Sequence, residues 1–241
     1  MSIEMKQITL GDLSVDVGQK DIKNVHLSVY PPSGRVRISA PLRMDMDTIR
    51  VFAISKLSWI KKQQNKFRNQ AREAPREYIT RESHYSLGKR YLLRVIEHDA
   101  PPSVIIKHDT MEMCVRANTG SKKRQEILDE WYRQNLKEIL PGVISQYEKK
   151  MKVTVNEFGI KKMRTRWGTC SRVPKRIWLN LELAKKPREH IEYIVVHEMT
   201  HFLERRHNER FVTFMDQFLT KWRFYKEGLN RIPLRHENWS Y

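Results

Sequence analysis

One nine-residue stretch of this chain reads Tyr193-Ile-Val-Val-His197-Glu198-Met-Thr-His201. Residues four apart in a helix lie one turn above each other, so His197 and His201 would face the same way and could share one metal ion. Glu198 would project to one side, where a carboxylate can take a proton from a metal-activated water. The predicted helix begins with an apolar run, so it should be buried. Buried histidines need hydrogen-bond or metal partners. The pattern therefore favours a catalytic metal over ordinary helix histidines.

A third protein ligand is needed, because a catalytic zinc site uses three and keeps a fourth position for water. If the helix continues, Glu204 is too far from His197 for both to bind one ion, because seven residues of helix rise by about 10 Å. His207 could reach the metal if the chain leaves the helix at residues 205–206. Asn208 can cap a following helix whose apolar residues recur at helical spacing. We therefore predict His207 as the third ligand, presented from a short connection between two helices.

The spacing His-Glu-x-x-His-x5-His equals the metzincin pattern, although Glu204 stands where the metzincin glycine permits the bend. Four ordered motifs resemble those of the YgjP-like, SprT-related zinc metallopeptidases: residues 164–171, 177–183, 197–211 and 229–234. The resemblance runs from about Asp21 to about Trp239. It implies a zincin core with the three histidines as zinc ligands, Glu198 as catalytic base, and residues 167–171 in a wall above the metal. It leaves the substrate open, because both peptide and nucleotide-phosphate hydrolysis are associated with the group.

The predicted fold is α+β, with a β-rich N-terminal part over 1–117 and a catalytic core over 118–241. The first part should contain one long helix, over 45–69. The second should be zincin-like, related to gluzincins and metzincins, with the His-Glu-x-x-His helix packed on a small mixed sheet. A helix that opens at 118–123 should kink or split at Pro141-Gly142. Alternating or β-branched runs predict the strands: 15–17, 25–30, 36–40, 83–87, 91–96, 103–107, 111–115, 153–158, 162–167 and 176–181.

The chain is strongly basic, with a formal net charge of +18 and 46 Lys and Arg residues against 28 Asp and Glu. Such a surface attracts polyanions, so non-specific nucleic acid is a candidate partner. One basic set lies between Lys56 and Arg94, where a solvated helix face is the plainer interpretation. A second set leads into the expected wall. There Arg164 and Arg166 alternate in a predicted strand, and one face could bind a substrate carboxylate, a phosphate or an acidic side chain of the protein.

The oxyanion that develops during hydrolysis needs a further hydrogen-bond donor. The backbone near Gly168, or the side chain of Asn180 or Tyr193, could supply it, although a buried structural tyrosine is the plainer interpretation of Tyr193. Trp167 could stack on a substrate, but aromatic residues at such positions are more often core. The substrate-binding candidates are thus Arg164, Arg166, Trp167, Gly168, Asn180 and Tyr193.

No apolar run approaches the roughly 20 residues that span a bilayer, and the first seven residues lack an apolar signal core. These features predict a cytoplasmic protein without a membrane partner. The two cysteines, Cys114 and Cys170, have no paired spacing and indicate no disulfide framework.

Three functions fit these residues. A zinc peptidase ranks first, because a structural metal site has no need of a carboxylate beside its ligands. A metal-dependent hydrolase of nucleotide phosphates ranks second, with Arg164, Arg166 and neighbouring lysines holding the anion. The third is a non-enzymatic nucleic-acid-binding module with a structural metal.

Overall fold

A computed structural model describes residues 5–30, 33–69, 76–163 and 166–231. The chain divides into two compact units, Met1–Pro75 with Ile232–Tyr241, and Arg76–Arg231. This division lies after Pro75, so the boundary predicted between 117 and 118 falls inside the second unit. Both units mix helices with small sheets. No helix in the described part of the chain is long and apolar enough to cross a membrane.

The first unit is a four-stranded mixed sheet with two helices. Its strands are β1 (Met5–Leu10), β2 (Leu13–Lys20), β3 (His26–Tyr30) and β4 (Arg35–Pro41), in the order β1-β2-β4-β3. The pair β2 and β4 is parallel, and the other pairs are antiparallel. Its helices are α1 (Met46–Ser55) and α2 (Leu57–Asn69).

The helical segment of this unit begins and breaks at identifiable residues. The Asp45 carboxylate caps α1 by accepting a hydrogen bond from the Thr48 N–H at 2.7 Å. The Lys56 N–H then bonds the Ala53 carbonyl, so a tight turn interrupts the single helix predicted over 45–69. Two helices result, and Ile60 of α2 joins the same apolar core as Ala53 of α1.

The second unit opens with a sheet that repeats the strand order of the first. Its strands are β5 (Ser83–Ser86), β6 (Lys89–Glu97), β7 (Ser103–Lys107) and β8 (Thr110–Val115), in the order β5-β6-β8-β7 with β6 and β8 parallel. No internal repeat is evident in the sequence. The two sheets share a topology without a recognisable sequence period.

After this sheet, residues Ser121–Met151 form one long, uninterrupted helix, α3. At Pro141-Gly142, where the sequence predicts a kink or a split, the helix does not split. Pro141 costs one backbone hydrogen bond, but buried residues on either side of it, including Leu140 and Val143, hold the helix against the core of the unit.

A three-stranded sheet and three helices complete the second unit. The strands are β9 (Glu157–Lys161), β10 (Gly168–Ser171) and β11 (Arg176–Asn180), in the order β10-β11-β9. A short 3-10 helix (Leu181–Lys185) leads to α4 (Arg188–Leu203), α5 (Glu209–Phe218) and α6 (Trp222–Arg231). Helix α4 packs on β10 and β11 and against α5 and α6. This small mixed sheet under α4 was predicted.

Near this sheet the structure differs from two of the predicted strands. The strand predicted over 153–158 forms at 157–161, and residues 162, 163, 166 and 167 of the strand predicted over 162–167 are not in a strand. The Asn180 side chain explains the second difference. It bonds the backbone of Met163 and Arg166, and so replaces the ladder bonds that a strand would need.

Candidate metal centre

The chain bends between α4 and α5 and carries His207 back toward the first two histidines. Helix α4 ends at Leu203, and Glu204 follows in extended conformation with φ −137°. This negative φ is open to any residue, so no glycine is needed at the bend. The Asn208 side chain caps α5 by accepting a hydrogen bond from the Phe211 N–H at 3.0 Å. The predicted helix end, connection and cap are therefore confirmed.

The three predicted histidines converge. His197, His201 and His207 each offer one ring nitrogen, and these atoms all lie within 4.8 Å of one another. The Nε2 atoms of His197 and His207 are 3.1 Å apart. The Nδ1 atom of His201 lies 3.1 Å from the Glu204 carbonyl oxygen, a contact that directs Nδ1–H to that oxygen and leaves Nε2 free to bind a metal.

Phe211 forms the base of this cluster. Its ring centroid lies 5.0, 4.8 and 4.7 Å from those of His197, His201 and His207. The sequence presents Phe211 only as one apolar position of a helix, so its contact with all three histidines was missed. A buried phenylalanine against three imidazoles limits their rotation and excludes water from one side of the cluster.

The electrostatic surroundings favour neutral imidazoles. Burial, reinforced by the adjacent His201 and His207, lowers the pKa of His197 to about 3. Burial also lowers the pKa of His201. Because only a neutral imidazole binds a metal ion, these rings are held in the form that a metal requires.

Glu198 lies beside the cluster and against the sheet. Its side chain is 6% exposed, and it faces Gly168 of β10, where an added Cβ would lie 2.8 Å from both its Cγ and its Oε1. Burial raises the pKa of Glu198 to about 8, and the Arg166 guanidinium opposes that increase. A carboxyl group with a raised pKa is suited to accept and return a proton near neutral pH.

A cleft of about 690 Å³ opens over these groups. Of the predicted substrate residues, Arg166, Trp167, Gly168 and Tyr193 line it, and Arg164 lies outside the described residues. The full lining is Arg166, Trp167, Gly168, Thr169, Cys170, Arg172, Tyr193, Ile194, His197, Glu198, His201, Arg205, His207, Lys226 and Leu229. The sequence analysis missed Arg205 and Lys226, because no local sequence pattern indicates that they line the cleft.

Tyr193 and Asn180 have different surroundings. Tyr193 is largely buried between His197 and Trp222, whose ring stacks on it at 14°, and burial raises its pKa to about 12. Asn180 does not line the cleft. Its Nδ2 donates to the carbonyls of Met163 and Arg166 at 2.8 Å, and its Oδ1 accepts from the N–H groups of Met163 and Glu182. With its amide fully engaged by the backbone, Asn180 has no donor left for an oxyanion.

The chain matches a known protein family. A family model described as YgjP-like, metallopeptidase domain, matches residues 23–232. Among solved structures, the chain is similar to the crystal structure of the metallopeptidase zymogen jannalysin of Methanocaldococcus jannaschii, with 19% sequence identity and a TM-score of 0.32. That similarity covers 39% of this chain and 92% of the other. No curated protein matches the chain.

Proposed function

Because the chain belongs to the YgjP-like metallopeptidase family, matched over residues 23–232, we propose that it is a zinc-dependent peptidase with Glu198 as its general base. The observation that carries this proposal is the convergence of His197, His201 and His207 beside one buried carboxylate. Within this proposal, α4 supplies the His-Glu-x-x-His pair of a zincin-like core.

The donor set fits a single zinc ion. Three imidazoles offer three ligands, Phe211 closes one side, and the cleft leaves the other side open. The Nδ1 atom of His197 is buried without a hydrogen-bond partner among the described residues, and its Nε2 atom lies 3.1 Å from that of His207, so Nε2 is the atom that would bind the ion. When bound, zinc would polarise the scissile carbonyl and acidify a water molecule.

Residues of the chain supply the proton transfer, the positioning of the base and the oxyanion donor. Glu198 accepts a proton from the attacking water and passes it to the leaving amine. Gly168 allows β10 to approach that carboxylate and holds it in place. Tyr193 lines the cleft and keeps its hydroxyl proton, because burial raises its pKa to about 12. With the Asn180 amide engaged elsewhere, Tyr193 is the side-chain candidate that can donate to an oxyanion.

The edge of β10 supports a peptide as the substrate. Strand β10 pairs with β11 on one side and lies at the end of its sheet. The Asn180 N–H bonds the Trp167 carbonyl, so the alternation of an antiparallel ladder directs the backbone groups of Gly168 and Cys170 away from β11. An extended polypeptide can pair with such an edge by main-chain hydrogen bonds, which a nucleotide cannot do.

A nucleotide phosphohydrolase is the second candidate, and the basic side chains of the cleft favour it. Either Arg166 or Arg172 could hold a phosphate near the metal. The third function, nucleic-acid binding with a structural metal, requires salt-sensitive binding and no turnover. The first two functions therefore differ in their products, and the third forms no product.

The test compares the zinc-loaded protein with Glu198→Gln, which keeps the shape of the side chain and removes the base. We expect an unstructured, casein-like polypeptide to be cleaved, and the variant to lose about 10²- to 10⁴-fold in kcat while it keeps its zinc. Nucleoside triphosphates are assayed in parallel for phosphate and pyrophosphate. Release of either product without peptide cleavage would replace the proposal with the second candidate, and unchanged cleavage by the variant would exclude Glu198 as the base.

A further inference from the structure

The cleft has an unbalanced set of charges. Four basic side chains line it, and among its described lining residues Glu198 is the one carboxylate. The four come from separate parts of the second unit: Arg166, Arg172, Arg205 and Lys226. Since the proposed site adds a divalent cation, the potential over the cleft is strongly positive.

The nearby acidic groups are engaged elsewhere. Glu204 accepts a hydrogen bond from the Arg206 N–H at 3.1 Å, and Asp216 is paired with Arg223 and Trp222. Across the described residues, no carboxylate oxygen lies within 4.0 Å of a charged nitrogen of the four cleft cations. Arg166 acts through space on the buried Glu198 carboxyl, and the other three cations have no carboxylate partner among the described residues, so their charges can attract an anionic ligand.

Two of the cations contact neighbouring groups that carry no net charge. The Arg172 guanidinium donates to the Phe202 carbonyl oxygen at 3.3 Å, and the Lys226 ammonium lies 5.5 Å from the centre of the Trp222 ring. A carbonyl and an aromatic face hold these groups without neutralising them. Both side chains are thus held at the cleft with their charge intact.

We propose that the cleft selects acidic polypeptide segments, with Asp or Glu on both sides of the bond to be cleaved. This proposal rests on the peptidase function proposed above and names its substrate class. Arg166 precedes β10 and Arg172 follows it, so a segment paired along the edge of β10 meets one guanidinium near each end. We expect the acidic side chains of the substrate to lie near these two guanidinium groups.

The spacing of the two arginines favours a polypeptide over a small anion. A strand rises about 3.3 Å per residue, so the backbone positions of Arg166 and Arg172 are up to roughly 20 Å apart. An extended peptide paired along β10 can present two acidic residues several positions apart, one near each arginine, whereas a single phosphate or carboxylate group offers one anionic centre. Arg205, which lies before α5, and Lys226, which lies on α6, add positive charge from the other walls of the cleft.

The expected preference is moderate, because these side chains are near the surface. An exposed ion pair contributes a factor of about two to five, and several act together in the cleft. Relative to a matched neutral peptide, kcat/KM for an acidic peptide should therefore rise by roughly tenfold at low salt. The preference should shrink as salt screens the charges.

The experiment uses the full-length, zinc-loaded protein and three internally quenched peptides of equal length. They differ only at the flanking positions, which carry Glu, Gln or Lys. We expect kcat/KM in the order Glu, Gln, Lys, with the difference carried by KM and reduced in about 0.5 M salt, where the screening length is a few ångströms. Arg205→Gln should lower the Glu-to-Gln ratio by about two- to fivefold. Lys137→Gln removes an exposed charge on α3 outside the cleft and should leave that ratio unchanged.

A binding measurement separates the substrate class from the reaction. Zinc-loaded Glu198→Gln should bind a labelled Glu peptide more tightly than the Gln peptide. Equal rates and equal binding for the Glu and Gln peptides would overturn the proposed preference while leaving the peptidase function standing. Failure to cleave any peptide would remove the peptidase function, and turnover of nucleoside triphosphates in its place would assign the cations to phosphate.

Discussion

The α-carbon of Gly168 on β10 lies directly against the Glu198 side chain on α4. A Cβ at residue 168 would meet Cγ and Oε1 of Glu198 at 2.8 Å and Cγ2 of Ile194 at 2.9 Å. These distances are shorter than real Cβ contacts, so either the strand or the carboxylate would have to shift. The absence of a side chain at residue 168 therefore positions the candidate base.

Gly168→Ala should reduce activity more than it reduces stability. Displacement of a reacting group by about 1 Å costs on the order of 10²-fold in kcat, and overpacking costs about 1–3 kcal/mol of unfolding free energy. Zinc content should not change, because the three atoms nearest to a Cβ at residue 168 belong to Glu198 and Ile194 and not to a histidine. The measurements are peptide hydrolysis, zinc content and thermal unfolding.

Gly142→Ala is the matched control for that variant. A Cβ at Gly142 in α3 has open space around it, and alanine in place of a helical glycine stabilises by about 0.5–1 kcal/mol. If both alanine variants kept full activity, the close approach of β10 would have no role in positioning Glu198.

His207→Ala should weaken zinc binding. The change removes one of three imidazoles whose ring nitrogens lie within 4.8 Å of one another. Loss of an outer-shell partner costs about 10- to 100-fold in affinity, and loss of a ligand itself should cost more than about 100-fold. Competition with a chromogenic chelator measures the affinity. His98→Ala, at an exposed histidine after β6, should bind zinc as the parent does, and an equal affinity for His207→Ala would remove residue 207 from the site.

The sequence predicted the candidate metal centre well because its geometry is local. His197, His201 and Glu198 are fixed by one turn of helix, and Asn208 is a cap whose residue type is visible in the sequence. The position of His207 followed from these two elements. Its ligand role, like that of the other histidines, stays a prediction that metal analysis would test.

The remaining walls of the cleft depend on contacts that a sequence does not display. Lys226 reaches the cleft from α6, and Phe211 meets all three histidines through the bend after α4. Asn180 was interpreted as a substrate residue, yet its amide bonds the backbone at Met163 and Arg166. The sequence contains the residue types, but the pairing of residues 14 or more positions apart appears only in the fold. Binding of nucleic acid to the basic segments stays a prediction.

Asn180→Asp should destabilise the second unit and lower activity together. The substitution replaces two N–H donors with a carboxylate oxygen that faces the carbonyls of Met163 and Arg166. An unsatisfied buried polar group costs about 1–3 kcal/mol, and more when charged. Thermal unfolding and peptide hydrolysis measure the two effects. Asn156→Asp, at an exposed asparagine, should stay within about 0.5 kcal/mol of the parent, and similar stability for the two variants would contradict the bonding assigned to Asn180.

His190 should make the metal-free protein less stable in acid. Burial, the main cause, lowers the pKa of His190, and neither buried ring nitrogen has a hydrogen-bond partner among the described residues. As pH falls through about 6.5, the unfolded chain takes up a proton at this ring and the folded chain does not, so unfolding is favoured. In His190→Leu this contribution is lost, so between about pH 7.5 and 5.5 the variant should lose less stability than the parent does. Chemical denaturation of both proteins in chelator at each pH measures the difference. His98→Leu should follow the parent, and parallel losses for the parent and His190→Leu would show that His190 is protonated equally in the folded and unfolded chains.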